Sequence, residues 1–351
     1  MADIIYFVIP CYNEEEALPI TAQILYRKMR ALQSAGRAAS QSRVLFVDDG
    51  SKDRTWEKIE ELVKTDALFA GVKLSHNRGH QNALLAGLMT ARESADVVVS
   101  MDADLQDDID VVDRFLEEYE GGCDIVYGVR SSREKDTFFK RTTAEGFYKF
   151  MRAMGVEMVF NHADYRLMSK RALDALADYR EVNLFLRGIV PLIGFKSTCV
   201  PYERKERVAG ESKYPLGKML AFAFDGITSF SVKPIRLLAW LGLGILLASI
   251  VAFLYVLAAH VSGWAVPGWS SVVCSIWFLG GLQLLALGIV GEYIGKIYAE
   301  TKHRPRFHIE EYLRAQAGRV EIGQGGVAGK SDGVEGETDA HSPPYPFRVE
   351  K

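Results

Sequence analysis

Apolar residues follow two rhythms along this chain. Up to about residue 230 they form short runs closed by polar turns, and these alternate with stretches in which apolar positions recur at helical spacing. The short runs at 4–9, 44–47, 72–74, 97–100 and 125–127 read as strands. Leu18, Leu25, Met29 and Leu32 mark a helix after the first, and helices are expected from about 54, up to 89, over 109–119 and from Lys170. Strand–helix alternation predicts a mostly parallel α/β sheet, whose ligand groups gather at the carboxyl ends of the strands.

Beyond residue 230 the rhythm changes. Residues 237–259 and 272–291 carry no charge, and each block is long enough to span a bilayer. The link 260–271 holds Trp264, Trp269, Gly263, Gly268 and Pro267 and no Lys or Arg, whereas Lys233, Arg236, Lys296, Lys302 and Arg304 flank the pair. Positive-inside asymmetry then puts both ends of a two-helix hairpin in the cytoplasm. Residues 216–232, rich in Phe, Leu and Ala, suit an amphipathic segment in the membrane interface. Gly280, Gly281, Gly288 and Gly291 give the second block a small-residue face, for packing on the first block or for a homo-oligomer. After Arg306 the chain turns polar, and the glycine-rich stretch 318–336 is expected to be disordered and without chemistry.

Composition narrows the function. A chain of 351 residues exceeds one average domain, and a net charge of −3 gives no reason to expect nucleic acid. Cys11, Cys123, Cys199 and Cys274 are scattered, which suits free thiols in a reducing compartment better than disulfides or zinc. The first residues carry no basic segment or cleavage site, so the first domain is expected on the cytoplasmic side. No GxGxxG follows the first strand and no GxxxxGK[ST] occurs, which removes the usual dinucleotide and P-loop readings.

The chemistry concentrates where Val97-Val98-Val99-Ser100 runs into Met101-Asp102-Ala103-Asp104-Leu105-Gln106-Asp107-Asp108. Residues two apart on an extended chain point the same way, so Asp102 and Asp104 project together and repel unless a cation lies between them. Magnesium or manganese, with Gln106 as a further oxygen donor and substrate phosphates completing the shell, is one solution. A solvated acidic loop with capping aspartates is the other. Asn13 and Glu14 fit either a helix start or a ligand contact, and Asp48-Asp49-Gly50-Ser51-Lys52-Asp53 is a strand-to-helix turn able to meet a ribose or base. His76-Asn77-Arg78-Gly79-His80 precedes a helix and suits phosphate or nucleotide contact, its histidines reading as hydrogen-bond donors more readily than as metal ligands. Basic and aromatic residues mix over 135–154, and 207–215 reads as a flexible basic loop.

Taken in order, Val8-Ile9-Pro10-Cys11-Tyr12-Asn13-Glu14, Val47-Asp48-Asp49-Gly50-Ser51-Lys52-Asp53, Asn77-Arg78-Gly79, Met101-Asp102-Ala103-Asp104-Leu105-Gln106, Asp164-Tyr165-Arg166 and Gly210-Glu211-Ser212-Lys213-Tyr214 carry a resemblance. Over roughly residues 3–298 the chain resembles the family 2 glycosyltransferases with a GT-A, Rossmann-like fold, and most closely their polyprenyl-phosphate branch. The resemblance implies that Pro10, Tyr12, Asn13, Glu14, Val47, Asp49, Arg78 and Ala103 belong to the nucleotide-sugar site. Asp102 would contact nucleotide or sugar, and Asp104 with Gln106 would hold the metal. Arg130, Arg133, Lys140, Arg141 and Arg166 would receive the lipid phosphate or the departing diphosphate. Lys213 would sit on a mobile loop over the site, and Asp164 would be a functional acid.

The expectation is a GT-A catalytic domain over 1–215, an interfacial helix over 216–232, a transmembrane hairpin over 233–298 and a cytoplasmic segment and tail over 299–351. It would make one inverting hexosyl transfer from a UDP-sugar (glucose or N-acetylglucosamine; GDP-mannose as alternative) to undecaprenyl phosphate at the inner membrane. Two alternatives keep the fold: a catalytically inactive nucleotide-sugar-binding scaffold, and a processive polysaccharide synthase, whose Gln-x-x-Arg-Trp motif is not found.

Overall fold

The computed structural model describes residues 2–104, 106–130, 154, 162–203, 227–228, 231–261, 268–316 and 319–324. Arg133, Lys140, Arg141 and Lys213, the segment 135–153, the loop 207–215 and most of the interfacial segment 216–232 lie outside the described residues.

The expected alternation is present: β1 (Ile5–Cys11), α1 (Leu18–Ser34), β2 (Arg43–Asp48), α2 (Thr55–Thr65), β3 (Phe69–Leu74), α3 (His80–Arg92), β4 (Val97–Ser100), α4 (Val111–Glu120) and β5 (Ile125–Arg130). There follow β6 (His162–Ser169), α5 (Lys170–Ala177), α6 (Leu186–Leu192), β7 (Ser197–Tyr202), α7 (Lys233–Val261), α8 (Trp269–Thr301), β8 (Ile309–Gln316) and β9 (Arg319–Gln324). The sheet runs in the order β7-β5-β6-β4-β1-β2-β3-β8-β9. Its centre, β4-β1-β2-β3, is parallel throughout.

The central strands are apolar at consecutive positions because both sheet faces are covered. Alternate residues divide between two cores. Ile5, Phe7, Ile9, Phe46, Val97 and Val99 pack on the side of α1, α2 and α4. Tyr6, Val8, Leu45, Val47 and Val98 pack with residues of α3, α5 and α6. Helix α3 lies very close to the sheet: a Cβ on Gly87 would stand 2.4 Å from Val8 Cγ1 and 2.7 Å from Val47 Cγ2. Helix α5 starts where expected, with the Ser169 hydroxyl accepting from the Ala172 N–H.

One of the two readings of Asn13 and one expectation for the C-terminal segment fail. Asn13 does not cap α1: that helix begins at Leu18 behind Ala17, with no side-chain cap. The polar segment after Arg306 is not featureless either. Strand β8 joins the sheet antiparallel to β3, and β9 pairs with β8 across the start of the stretch expected to be disordered. Edge strands need few apolar side chains, because the ladder is made by backbone and one face is enough to bury. From β8, Leu313 enters one core, and Ile309 and Tyr312 pack partly buried against the other.

Helices α7 and α8 contain the two uncharged blocks. Trp240, Phe278 and Leu284 are about 70% exposed on them, an apolar surface far beyond what a water-soluble domain leaves open. Among the described residues, Phe278–Thr301 is long and apolar enough to cross a membrane. Among the described residues, Cβ atoms added at Gly280, Gly281, Gly288 or Gly291 would meet nothing within 4 Å.

Candidate active site

Parallel register brings the ends of β1, β2 and β4 to one sheet edge: Cys11 pairs with Asp48, and Val8 with Ser100. Beyond these ends the turns interlock. Asn13 takes a positive φ of 55°; its N–H donates to Ser51 Oγ (2.9 Å), and its Oδ1 accepts from the Lys52 N–H (2.8 Å). The Glu14 N–H donates to Thr55 Oγ1. Buried Asp49 accepts the N–H groups of Arg78 (2.7 Å) and Gly79 (2.9 Å). Burial raises its pKa against those bonds. Gly50, with φ of +67°, has no room for a side chain: a Cβ would lie 2.7 Å from the backbone of His76 and Asn77. Pro10 faces Val47 across the ladder, and Tyr12 stands 41% exposed at the rim. The expected nucleotide-binding set thus forms one continuous wall.

Strand β6 supplies the opposite wall, and register explains how. It runs antiparallel to β4 with Ser100 against Arg166 and Val99 against Leu167. Continued outward, that register sets Asp164 level with Asp102. His80, the first residue of α3, places Nε2 at 3.6 Å from both Asp102 Oδ1 and Asp164 Oδ2. Asp164 also accepts from Arg166 Nη2 (2.6 Å) and from Arg187 Nη2 (3.0 Å). Burial opposes its charge, but His80, Arg187 and Arg166 outweigh it and hold the carboxyl well below its ordinary pKa. Burial pulls the His80 imidazole down, and the two aspartates more than offset this and raise it. Asp102 is pushed up by burial and by the charges of Asp164 and Asp104, against the pull of His80.

Arg166 is the largest fully buried side chain, 1% exposed, and its Nε and Nη1 are unpartnered among the described residues. Arg130 sits further along: its Nε donates to the Tyr202 hydroxyl (3.4 Å), and its Nη2 is 3.9 Å from Asp107 Oδ1. Tyr202 donates to the same carboxylate. Burial, then the charge of Asp102, pushes Asp107 up to about 6. Between about pH 4 and 6 the folded protein therefore binds more protons there than the unfolded chain, and stability falls as pH rises. From 3.8 to about 6 the shift corresponds to roughly 2–3 kcal/mol. Asp107→Asn, uncharged at every pH, is expected to flatten this slope in thermal unfolding followed from pH 4 to 7.

Asp104 Oδ1 accepts the Gln106 N–H (3.2 Å), Gln106 is buried, and the Ala103 carbonyl accepts from Thr21 Oγ1. No group of three or more His, Cys, Asp or Glu side chains poised for a metal ion occurs among the described residues. The donors fit a magnesium-type ion that takes one or two protein oxygens and fills its shell from phosphates. The mutual charge of Asp102 and Asp104 also favours a cation.

Sequence reasoning passed over Arg187, Asp107 and Tyr202, and valued His80 only as a donor. Asp107 lies inside the acidic run and His80 beside Asn77-Arg78-Gly79, so both were within reach of the motifs. Arg187 and Tyr202 carry no local signal; tertiary packing alone brings them in.

The model of glycosyl transferase family 2 matches residues 6–177. A Bacillus subtilis (strain 168) protein, the uncharacterised glycosyltransferase YkoT, is 53% identical over 307 residues, 88% of this chain and 91% of its own. The chain belongs to glycosyl transferase family 2. The bactoprenol glucosyl transferase of Shigella phage SfV is 40% identical over 311 residues, covering 87% of this chain and 98% of that one. Among solved structures, the mannosyltransferase PcManGT from Pyrobaculum calidifontis, in complex with GDP-Man and Mn2+, is 16% identical, with a TM-score of 0.41 and 85% coverage of each chain.

Proposed function

We propose that this transferase moves one sugar from a nucleotide-sugar, a UDP-hexose such as glucose or N-acetylglucosamine, to polyprenyl phosphate at the cytoplasmic face of the cell membrane. GDP-mannose is the alternative donor. The observation that carries the proposal is the match to a bactoprenol glucosyl transferase along 98% of that chain, apolar helices included. The exposed apolar surfaces of α7 and α8 support a two-span anchor, with the interfacial segment holding the site near the headgroups and raising the acceptor's effective concentration.

The wall from Pro10 to Glu14 with Asp49 and Arg78 would seat the nucleoside diphosphate, and Asp102 the sugar. A bound Mg2+ or Mn2+ at Asp104 and Gln106 would neutralise charge developing on the diphosphate. A phosphate oxygen of the acceptor attacks the anomeric carbon, the bond from that carbon to the diphosphate oxygen breaks, and the nucleoside diphosphate leaves with inversion. The acceptor is already anionic, so no strong base is needed. Asp164, held ionised between two guanidinium groups and His80, is a poor base and a good orienter. Arg130, together with Arg133, Lys140, Arg141 and Lys213, supplies positive charge for the phosphates.

Purified protein in detergent with undecaprenyl phosphate, Mg2+ and a panel of UDP- and GDP-sugars tests this. Label from one donor is expected in lipid, with release of the matching nucleotide. Nucleotide binding by folded protein without lipid-linked product from any donor would sink the proposal.

A further inference from the structure

The apolar helix α8 does more than lie beside the catalytic domain. Near its end, Glu300 reaches the loop between α5 and α6 and accepts two successive backbone N–H groups, Val182 to Oε2 and Asn183 to Oε1, each at 2.9 Å. Arg306, just beyond the helix, donates from Nη2 to the Tyr179 carbonyl of the same loop (3.0 Å). On the inner side, Gln81 Oε1 accepts the Leu186 N–H at 2.8 Å, and Gln81 is the neighbour of His80. The loop is therefore held from outside by α8 and from inside by α3. It leads directly into α6, whose second residue is Arg187, one of the two guanidinium groups on Asp164. The chain that leaves α8 is tied as well: just before β8 the His308 carbonyl accepts the Ser75 N–H, next to the turn bearing His76 and Arg78.

We infer that Glu300 is a positioning residue of the transferase, fixing Arg187 on Asp164 through the loop 178–185, so that the seating of α8 sets the geometry of the acceptor side of the site. The inference rests on the proposed reading of Asp164 as the orienter of that side. A carboxylate that takes two adjacent backbone donors fixes both peptide planes. Without it the loop gains freedom, and Arg187 departs from the Asp164 carboxylate while Arg166 stays.

The test is a double-mutant cycle on the full chain in detergent, with Glu300→Ala, Arg187→Ala and the pair. Glu300→Ala is expected to lower kcat about tenfold, as small misplacements of catalytic groups do, with donor KM within about twofold. The double variant should be no slower than Arg187→Ala alone. Glu300→Gln, which keeps one carbonyl oxygen, should recover part of the rate. Hydrogen exchange supplies a reading independent of turnover: the Val182 and Asn183 amides, protected in the wild type, should exchange faster in Glu300→Ala while the β1, β2 and β4 amides stay protected. Losses that multiply in the double variant, or unchanged exchange over 178–187, would overturn the inference. Failure of the wild type to transfer sugar sinks the proposed function instead, and the exchange measurement then still decides whether Glu300 holds the loop.

Discussion

Asp164→Asn is expected to cost both fold and reaction. The carboxylate faces Arg166, which is 1% exposed, and an amide there leaves that charge buried without its counter-ion. Breaking a buried pair by removing one partner costs on the order of 3–5 kcal/mol; the share carried by half-exposed Arg187 is discounted for solvent screening. Thermal unfolding should show a melting point several degrees below that of the wild type. The pH dependence follows from the sign of the shift. The folded-state pKa of Asp164 is depressed, so its contribution is complete above the unfolded value of about 4 and is lost as pH falls through the folded value. Wild-type and variant stabilities should therefore differ most around pH 5 to 6, draw closer as rising pH deprotonates His80, whose raised pKa depends on Asp164, and converge as pH falls below about 4. In the variant that still folds, kcat should fall by about 10²-fold, the scale expected when a positioned group is lost. Near-normal turnover would exclude both an essential base and an essential orienter.

Asp104→Asn is expected to abolish transfer while sparing the fold. Its side chain is partly exposed at the strand end, and an amide oxygen can still accept the Gln106 N–H seen at 3.2 Å. What disappears is the charge. If Asp104 and Gln106 hold the cation, kcat should drop by at least about 10²-fold, the scale of losing one preorganised electrostatic contact in a transferase site. EDTA should reduce the wild type to the level of the variant and leave the variant unchanged. A variant with wild-type turnover at saturating donor and Mg2+ would remove Asp104 from the metal site and revive the acidic loop as a capped, solvated turn.

The motifs were legible because each is local: a strand end, a polar turn, a helix start. Asp102 and Asp104 could be singled out on spacing, whereas Asp49 and Arg78 stood out from their polar turns only through the family resemblance; a parallel sheet carries all these turns to the same edge. Asn13 was legible as important, but its role was not. A side-chain cap and a bridge to the neighbouring turn draw on the same residue type, and only the positive φ and the bonds to Ser51 and Lys52 decide between them. Strands β6, β7 and β8 escaped for a common reason: β6 mixes Asp164 and Arg166 into its pattern, β7 and β8 lie near the sheet margins, and apolar periodicity says little about either case.

By itself the sequence determined the alternating α/β order, the two apolar helices and the strand-end carboxylates, because these follow from the periodicity of neighbouring residues. Tertiary structure alone decided that Asp164 meets Asp102, through the antiparallel register of β6 on β4. It alone brought His80 and Arg187 to that pair, and Glu300 to the loop that carries Arg187. Those contacts join residues 22 to 118 positions apart, and pairing at such range is set by sheet register and packing, which no local pattern encodes.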